Sequence, residues 1–135
     1  MSEFNFKITS YSIHLGERAE ATALTQNGDE VTVTINSVLT CRGDEGERIA
    51  VYFYRPGAGQ GALKSSHHMT KEKKPSAIIW EDQANYPNYV DLVRNESPIW
   101  GYIETGKDAT EVRLYTGRWE PVGVGDEDYG SDPTR

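Results

Sequence analysis

Hydrophobic and polar residues alternate along much of the chain, and no long stretch keeps the 3.6-residue period of an amphipathic helix. The clearest case is RIAVYFY, in which Ile49, Val51 and Phe53 share one face of an extended strand. Similar segments recur at a spacing of roughly ten residues. The pattern predicts an all-β fold, a small antiparallel β-sandwich or barrel of about seven or eight strands.

The phase of this alternation changes once near the start of the chain. Hydrophobic residues occupy even-numbered positions from Phe4 to Ile8 and odd-numbered positions from Tyr11 to Leu15. One extra residue near Thr9 produces such a shift. We therefore expect a β-bulge here, or a bend at which the strand passes from one sheet to another.

A hairpin is predicted at Asn27-Gly28, because both residue types tolerate a positive φ angle. In the strand after it, Val31, Val33 and Ile35 form the next buried face.

The segment PNYVDLVRNE is ambiguous between a strand and a short helix capped by Asn88, with Asp91 at its third position. We expect at most one short helix, near residues 88–94.

The glycine-rich segment after RIAVYFY does not match a known phosphate-binding motif. Gly57, Gly59 and Gly61 are spaced one residue too closely for a dinucleotide fingerprint, and Lys64-Ser65 lacks the preceding glycine of a nucleotide-binding loop. Three glycines nevertheless favour movement. The sequence therefore predicts a mobile interaction loop at 56–74.

Positive charge is concentrated in this same segment. The chain has a formal charge of −7, yet residues 55–74 hold five basic residues and one glutamate, so they carry +4 and the rest of the chain carries −11. Such asymmetry is typical of an interaction surface. The lysines expected to contact an acidic partner are Lys64, Lys71, Lys73 and Lys74.

Three predicted strands have an aliphatic face and an aromatic-polar face. If these strands are neighbours in one sheet, their polar faces form a patch rich in Tyr, Trp and Arg, residues enriched at binding hot spots. The alternative is that the patch is covered by the 55–74 loop, by residues 82–97 or by a second subunit. The candidate binding residues in it are Arg48, Tyr52, Tyr54, Trp100, Tyr102, Arg113 and Tyr115.

No catalytic motif, metal site or cofactor site is predicted. His67 and His68 are adjacent and point apart in an extended loop, so they do not chelate one metal ion. His14, Cys41 and the carboxylates match no nucleophile motif. Cys41 is most simply a small buried hydrophobic residue.

These observations favour a non-enzymatic binding module or self-assembling domain with a protein partner. The alternative is a small barrel that binds single-stranded nucleic acid, although the acidic body repels phosphates. A third is an enzyme with an unrecognised site. With no secretory signal, membrane span or internal disulfide in the sequence, we expect a cytoplasmic location. We also expect a single domain over 1–124 and a flexible acidic tail over 125–135.

Overall fold

The computed structural model describes residues 2–57, 60–106 and 110–116, without the side chains of 16–18. In this part of the chain eight strands, one 3-10 turn and one α-helix follow one another. The strands are β1 (Ser2–Lys7), β2 (Ser10–Leu24), β3 (Glu30–Arg42), β4 (Arg48–Tyr54), β5 (Ser66–Met69), β6 (Pro75–Asp82), β7 (Ile99–Thr105) and β8 (Thr110–Thr116). The 3-10 turn is Gln83–Asn85, and the helix α1 is Tyr86–Asn95. The predicted tail over 125–135 lies outside the described residues.

The strands form two sheets that pack face to face. One sheet has the order β1-β7-β8, and the other has the order β2-β3-β4-β6-β5. The pair β4–β6 is parallel, and the other neighbouring strands are antiparallel. The core combines Phe6 and Ile103 of the first sheet with Leu39, Val51 and Phe53 of the second. The predicted all-β fold is confirmed, and its form is a sandwich.

The chain passes from one sheet to the other at Ile8 and Thr9. The Ile8 amide donates to the carbonyl of Ile99 at 2.8 Å, and the Thr9 amide donates to the carbonyl of Arg42 at 2.8 Å. The two acceptors belong to different sheets. The phase change in the sequence is therefore a change of sheet, as one of the two predicted alternatives states.

The two sheets pack tightly against each other beside Gly101. A Cβ atom at this position would lie 2.8 Å from Ile49 and 2.9 Å from Phe6. Glycine is required here because two buried side chains fill the space. Gly101 and its inward-facing neighbours in β7 therefore fix Trp100 and Tyr102 on the outer face of the three-stranded sheet.

The strand β3 contributes to two clusters because its register shifts between Ile35 and Ser37. Beyond this bulge Leu39 faces the main core. Before it Val33, 4% exposed, packs in a second cluster on the outer face of the five-stranded sheet. The predicted burial is confirmed for Val33 and Ile35, whereas Val31 is only half-buried. The bulge explains why β3 can be buried on different faces.

The second cluster is closed by the crossover that connects β4 to β5. Leu63, 5% exposed, packs there with Tyr54, and the Lys64 amide donates to the carbonyl of Leu24 at 2.8 Å. The segment 56–74 thus contains a buried anchor and the strand β5, although the sequence predicted only a loop here. Its mobility stays a prediction.

The helix α1 covers one end of the core. Tyr86 and Tyr89 contact the Phe53 ring edge-on at centroid distances of 5.1 and 5.4 Å. The predicted short helix is confirmed, but its N-cap is Asn85 rather than Asn88, and Pro87 lies in its first turn. Proline is tolerated there because first-turn amides have no intrahelical acceptor. No described helix has the length and apolarity needed to cross a bilayer.

Candidate interaction surfaces

The predicted aromatic patch is divided between the two sheets. Tyr52 and Tyr54 belong to the five-stranded sheet, whereas Trp100, Tyr102 and Tyr115 belong to the three-stranded sheet. Because the aliphatic faces of the sheets pack on each other, the outer faces point in opposite directions. The expectation of one contiguous patch is therefore wrong, although the aromatic and aliphatic faces of each strand are separated as alternation predicts.

On the five-stranded sheet the candidate residues are engaged within the protein. Tyr54 is 4% exposed in the cluster that contains Leu63, and Tyr52 contacts Trp80 edge-on at 5.1 Å. Burial, followed by the charges of nearby carboxylates, raises the pKa of Tyr54. The Arg48 Nε donates to Ser76 Oγ at 3.1 Å. The crossover thus covers part of this face, which is one of the alternatives left open by the sequence.

The outer face of the three-stranded sheet carries the half-buried rings of Trp100, Tyr102 and Tyr115 and the exposed side chain of Arg113. Strand register places its side chains in three cross-strand rows, each with one residue from β1, β7 and β8. We call this surface the aromatic face. Its rows are Lys7–Trp100–Tyr115, Asn5–Tyr102–Arg113 and Glu3–Glu104–Glu111.

Hydrogen bonds and a cation–π contact hold the rings of Tyr102 and Tyr115 in place. The Tyr102 hydroxyl donates to Glu3 Oε2 at 3.2 Å, and the Tyr115 hydroxyl donates to Asn5 Oδ1 at 2.8 Å. The guanidinium of Arg113 lies 4.5 Å from the centroid of the Tyr102 ring. Desolvation and the carboxylates of Glu104 and Glu3 raise the pKa of Tyr102 to about 12. Its hydroxyl therefore remains a donor at neutral pH.

The third row places three glutamates side by side. Glu104 lies opposite Glu3 on one side and Glu111 on the other. Like charges in directly opposite positions destabilise a sheet. Arg113 offsets part of this charge, because its Nε lies 3.3 Å from Glu111 Oε2. One end of the aromatic face is consequently negative.

No family model, curated protein or solved structure matches this chain. Sequence reasoning missed Glu3 and Asn5, because their place beside the aromatic residues depends on the pairing of β1 with β7.

The predicted basic loop ends in the turn Thr70–Lys74, which connects β5 to β6. Lys71 and Lys73 are exposed. Lys74 is half-buried, and its Nζ lies 3.5 Å from Glu45 Oε1 of the turn between β3 and β4. The basic turn thus lies beside an acidic one, and Lys71 and Lys73 are its available charges. Lys64 is anchored separately through its backbone.

This basic turn has the same construction as two other turns in the chain. Each turn has five residues, and the amide of the first residue donates to the carbonyl of the fifth. The N–O distance is 2.9 Å in 25–29, 3.0 Å in 43–47 and 2.8 Å in 70–74. The fourth residue has a positive φ, which is 90° at Gly28, 94° at Gly46 and 63° at Lys73. The hairpin predicted at Asn27-Gly28 is present, with positive φ at Gly28 alone. A lysine in this conformation is strained, and retained strain is a reason to suspect a role for its side chain.

The remaining candidate groups are the two histidines of β5 and Cys41. His67 and His68 are exposed on β5, and His67 Nδ1 lies 2.9 Å from Thr110 Oγ1. No group of three metal-ligating side chains converges among the described residues. Burial raises the pKa of the Cys41 thiol to about 12, so it is neutral at physiological pH. A neutral buried thiol is a poor nucleophile.

Proposed function

We propose that the chain is a non-enzymatic binding module whose recognition surface is the aromatic face. The observation that carries this proposal is the preorganisation of Tyr102 and Tyr115, whose hydroxyls are held by Glu3 and Asn5. Rings already fixed in place lose little conformational entropy when a partner binds. Tyr, Trp and Arg are also the residues that contribute most at interfaces.

The negative end of the aromatic face favours a protein partner that carries basic side chains. The row Glu3–Glu104–Glu111 presents carboxylates next to the aromatic rows. Carboxylates attract lysine and arginine and repel a phosphate backbone. A nucleic-acid partner is therefore the less favoured alternative. Lys71 and Lys73 provide a separate contact for acidic groups of the same partner.

The test selects ligands from a phage-displayed library of random peptides. Wild-type protein is the bait, and the double variant Trp100→Ala/Tyr115→Ala is used for counter-selection. Tyr52→Ala is the matched control, because Tyr52 is also a half-buried outer-face tyrosine but belongs to the opposite sheet. Thermal unfolding establishes that each variant is folded.

The expected result is a set of basic peptides that bind wild type and Tyr52→Ala but not the double variant. Their affinity should fall as salt is raised, because exposed charge pairs are screened. Peptides that bind the folded double variant equally well would remove the aromatic face from the mechanism. A labelled single-stranded DNA oligonucleotide that binds more tightly than any peptide would instead support the nucleic-acid alternative.

A further inference from the structure

The open sheet edges of the protein differ in how they are protected. Among the described strands, β1, β2, β5 and β8 have a strand neighbour on one side only. Charged side chains and short length are the usual devices that prevent edge strands from pairing with other chains. Strand β1 carries Glu3 and Lys7, β8 carries Glu111 and Arg113, and β5 has only four residues.

The first part of β2 has neither device. The segment Ser10–Leu15 contains no Lys, Arg, Asp, Glu or Pro, and it belongs to a strand of 15 residues. The register of β2 against β3 shifts only after Leu15. At the far end of β2, the edge is covered by the hydrogen bond from the Lys64 amide to the Leu24 carbonyl. Among the described residues no strand lies along the outer side of Ser10–Leu15, so its edge is an open template for a β-strand.

The side chains of this edge are also unusually apolar for exposed positions. Tyr11 is 40% exposed and Leu15 is 64% exposed, and Ile13 between them is half-buried against the core. The three lie on one face of β2, and Ser10, Ser12 and His14 lie on the other. Exposed apolar groups beside unpaired backbone groups favour a partner strand with the same alternation.

We propose that Ser10–Leu15 pairs antiparallel with the same segment of a second copy, which joins the two five-stranded sheets across a two-fold axis. In such a pair centred on Ile13, Tyr11 of one copy lies beside Leu15 of the other, and Ser12 lies beside His14. The segment carries no formally charged residue with histidine neutral, so self-pairing brings no like charges together. An isologous contact of this kind closes on itself as a dimer and does not continue into a fibre.

The proposal is independent of the aromatic face, which belongs to the other sheet. It also predicts a distinct salt dependence for dimerisation. Each copy carries a net charge of −7, whereas the paired segment carries no formal charge. Added salt screens the repulsion between the two bodies without weakening the contact. Dimerisation should therefore strengthen with salt, while binding of basic peptides to the aromatic face should weaken.

Analytical ultracentrifugation of the full chain tests the dimer from about 1 to about 100 μM protein, since self-association depends on concentration. We expect wild type to be dimeric at the upper end. Leu15→Glu should weaken dimerisation at least about tenfold, because two carboxylates would lie in an apolar contact. Leu24→Glu and Met69→Glu are matched controls, at 42% and 46% exposure outside the paired segment, and should remain dimeric.

A cysteine pair tests the register without relying on disruption. The double variant Ser12→Cys/His14→Cys should form a disulfide-linked dimer on mild oxidation, because each cysteine faces the other position across the two-fold axis. Ser66→Cys/His68→Cys places the same replacements on the edge of β5 and should not cross-link. Cys41 is fully buried and does not interfere.

A wild-type chain that stays monomeric at every concentration would overturn the proposal, even if it binds a foreign extended peptide at this edge. Equal dimerisation of wild type and folded Leu15→Glu would do the same. Equal weakening by the three glutamate variants would show that the effect is nonspecific, and the proposal would also fail.

Discussion

The guanidinium of Arg113 lies over the ring of Tyr102, 4.5 Å from its centroid, across the β7–β8 pair. The same arginine approaches Glu111, and the hydroxyl of the same tyrosine donates to Glu3. These contacts connect all three strands of the sheet through their outer side chains. The aromatic face is therefore a fixed surface, and single substitutions in it should have measurable effects.

Tyr102 should contribute to the alkaline limit of stability. The pKa of Tyr102 is raised from the ordinary 10 to about 12, so the folded state favours the neutral phenol. This contribution is fully present below pH 10 and is lost as the pH rises from 10 to 12. Urea unfolding of wild type and Tyr102→Phe across this range should give a shallower decline for the variant. Identical declines would show that the hydroxyl is not coupled to the carboxylates in solution.

Removing the central charge of the glutamate row should stabilise the protein. Glu104→Gln keeps a hydrogen-bond acceptor but removes the charge that lies between Glu3 and Glu111. We expect a gain of about 0.2–1 kcal/mol in the free energy of unfolding, which should shrink as salt is raised. Glu72→Gln, at an exposed glutamate in the basic turn, is the control. A loss of stability in Glu104→Gln would mean that its carboxylate is needed by the fold.

Replacing Lys73 by glycine should also stabilise the protein. Lys73 has a φ of 63°, in a turn whose counterparts use Gly28 and Gly46. Relief of this strain should raise the free energy of unfolding by about 1 kcal/mol. Lys71→Gly removes the same charge from the same turn at a position without positive φ, so it should give no such gain. If both variants are equally stable, the turn does not hold Lys73 in the left-handed conformation in solution.

Leu63 should be the anchor of the crossover segment. Leu63→Ala removes a side chain that is 5% exposed, and we expect a loss of about 2 kcal/mol or more. Amide exchange should accelerate at Lys64, whose amide donates to Leu24. Lys64→Ala keeps this backbone bond and should have little effect. Rapid exchange around residue 63 in the wild type would show that the whole segment is mobile, as its glycines suggest.

The sequence predicted the strands well because alternation reports directly which side chains share a face. It also located the change of sheet, since a shift of one residue at Thr9 reverses that alternation. It did not locate β5, because the residues of SHHM are all exposed and carry no burial pattern. An edge strand held mainly by backbone hydrogen bonds gives no hydrophobic signal.

The site was predicted only in part for a related reason. Alternation identifies the outer face of a strand, but it does not identify the sheet to which the strand belongs. The sequence therefore grouped Tyr52 with Tyr102, which face opposite directions. The positions of Glu3 and Asn5 depend on contacts between residues about a hundred positions apart, such as Tyr102 to Glu3 and Tyr115 to Asn5.

Pairing of β1 with β7 also sets when the aromatic face can form during synthesis. Ser2 pairs with Thr105, so β1 waits for a strand that is made much later. The β2–β3 hairpin and β4 have local partners, and closing a long loop is slower than closing a short one. A nascent chain can therefore complete much of the five-stranded sheet before the aromatic face exists. The proposed partner of the aromatic face therefore cannot be captured before β7 has been made.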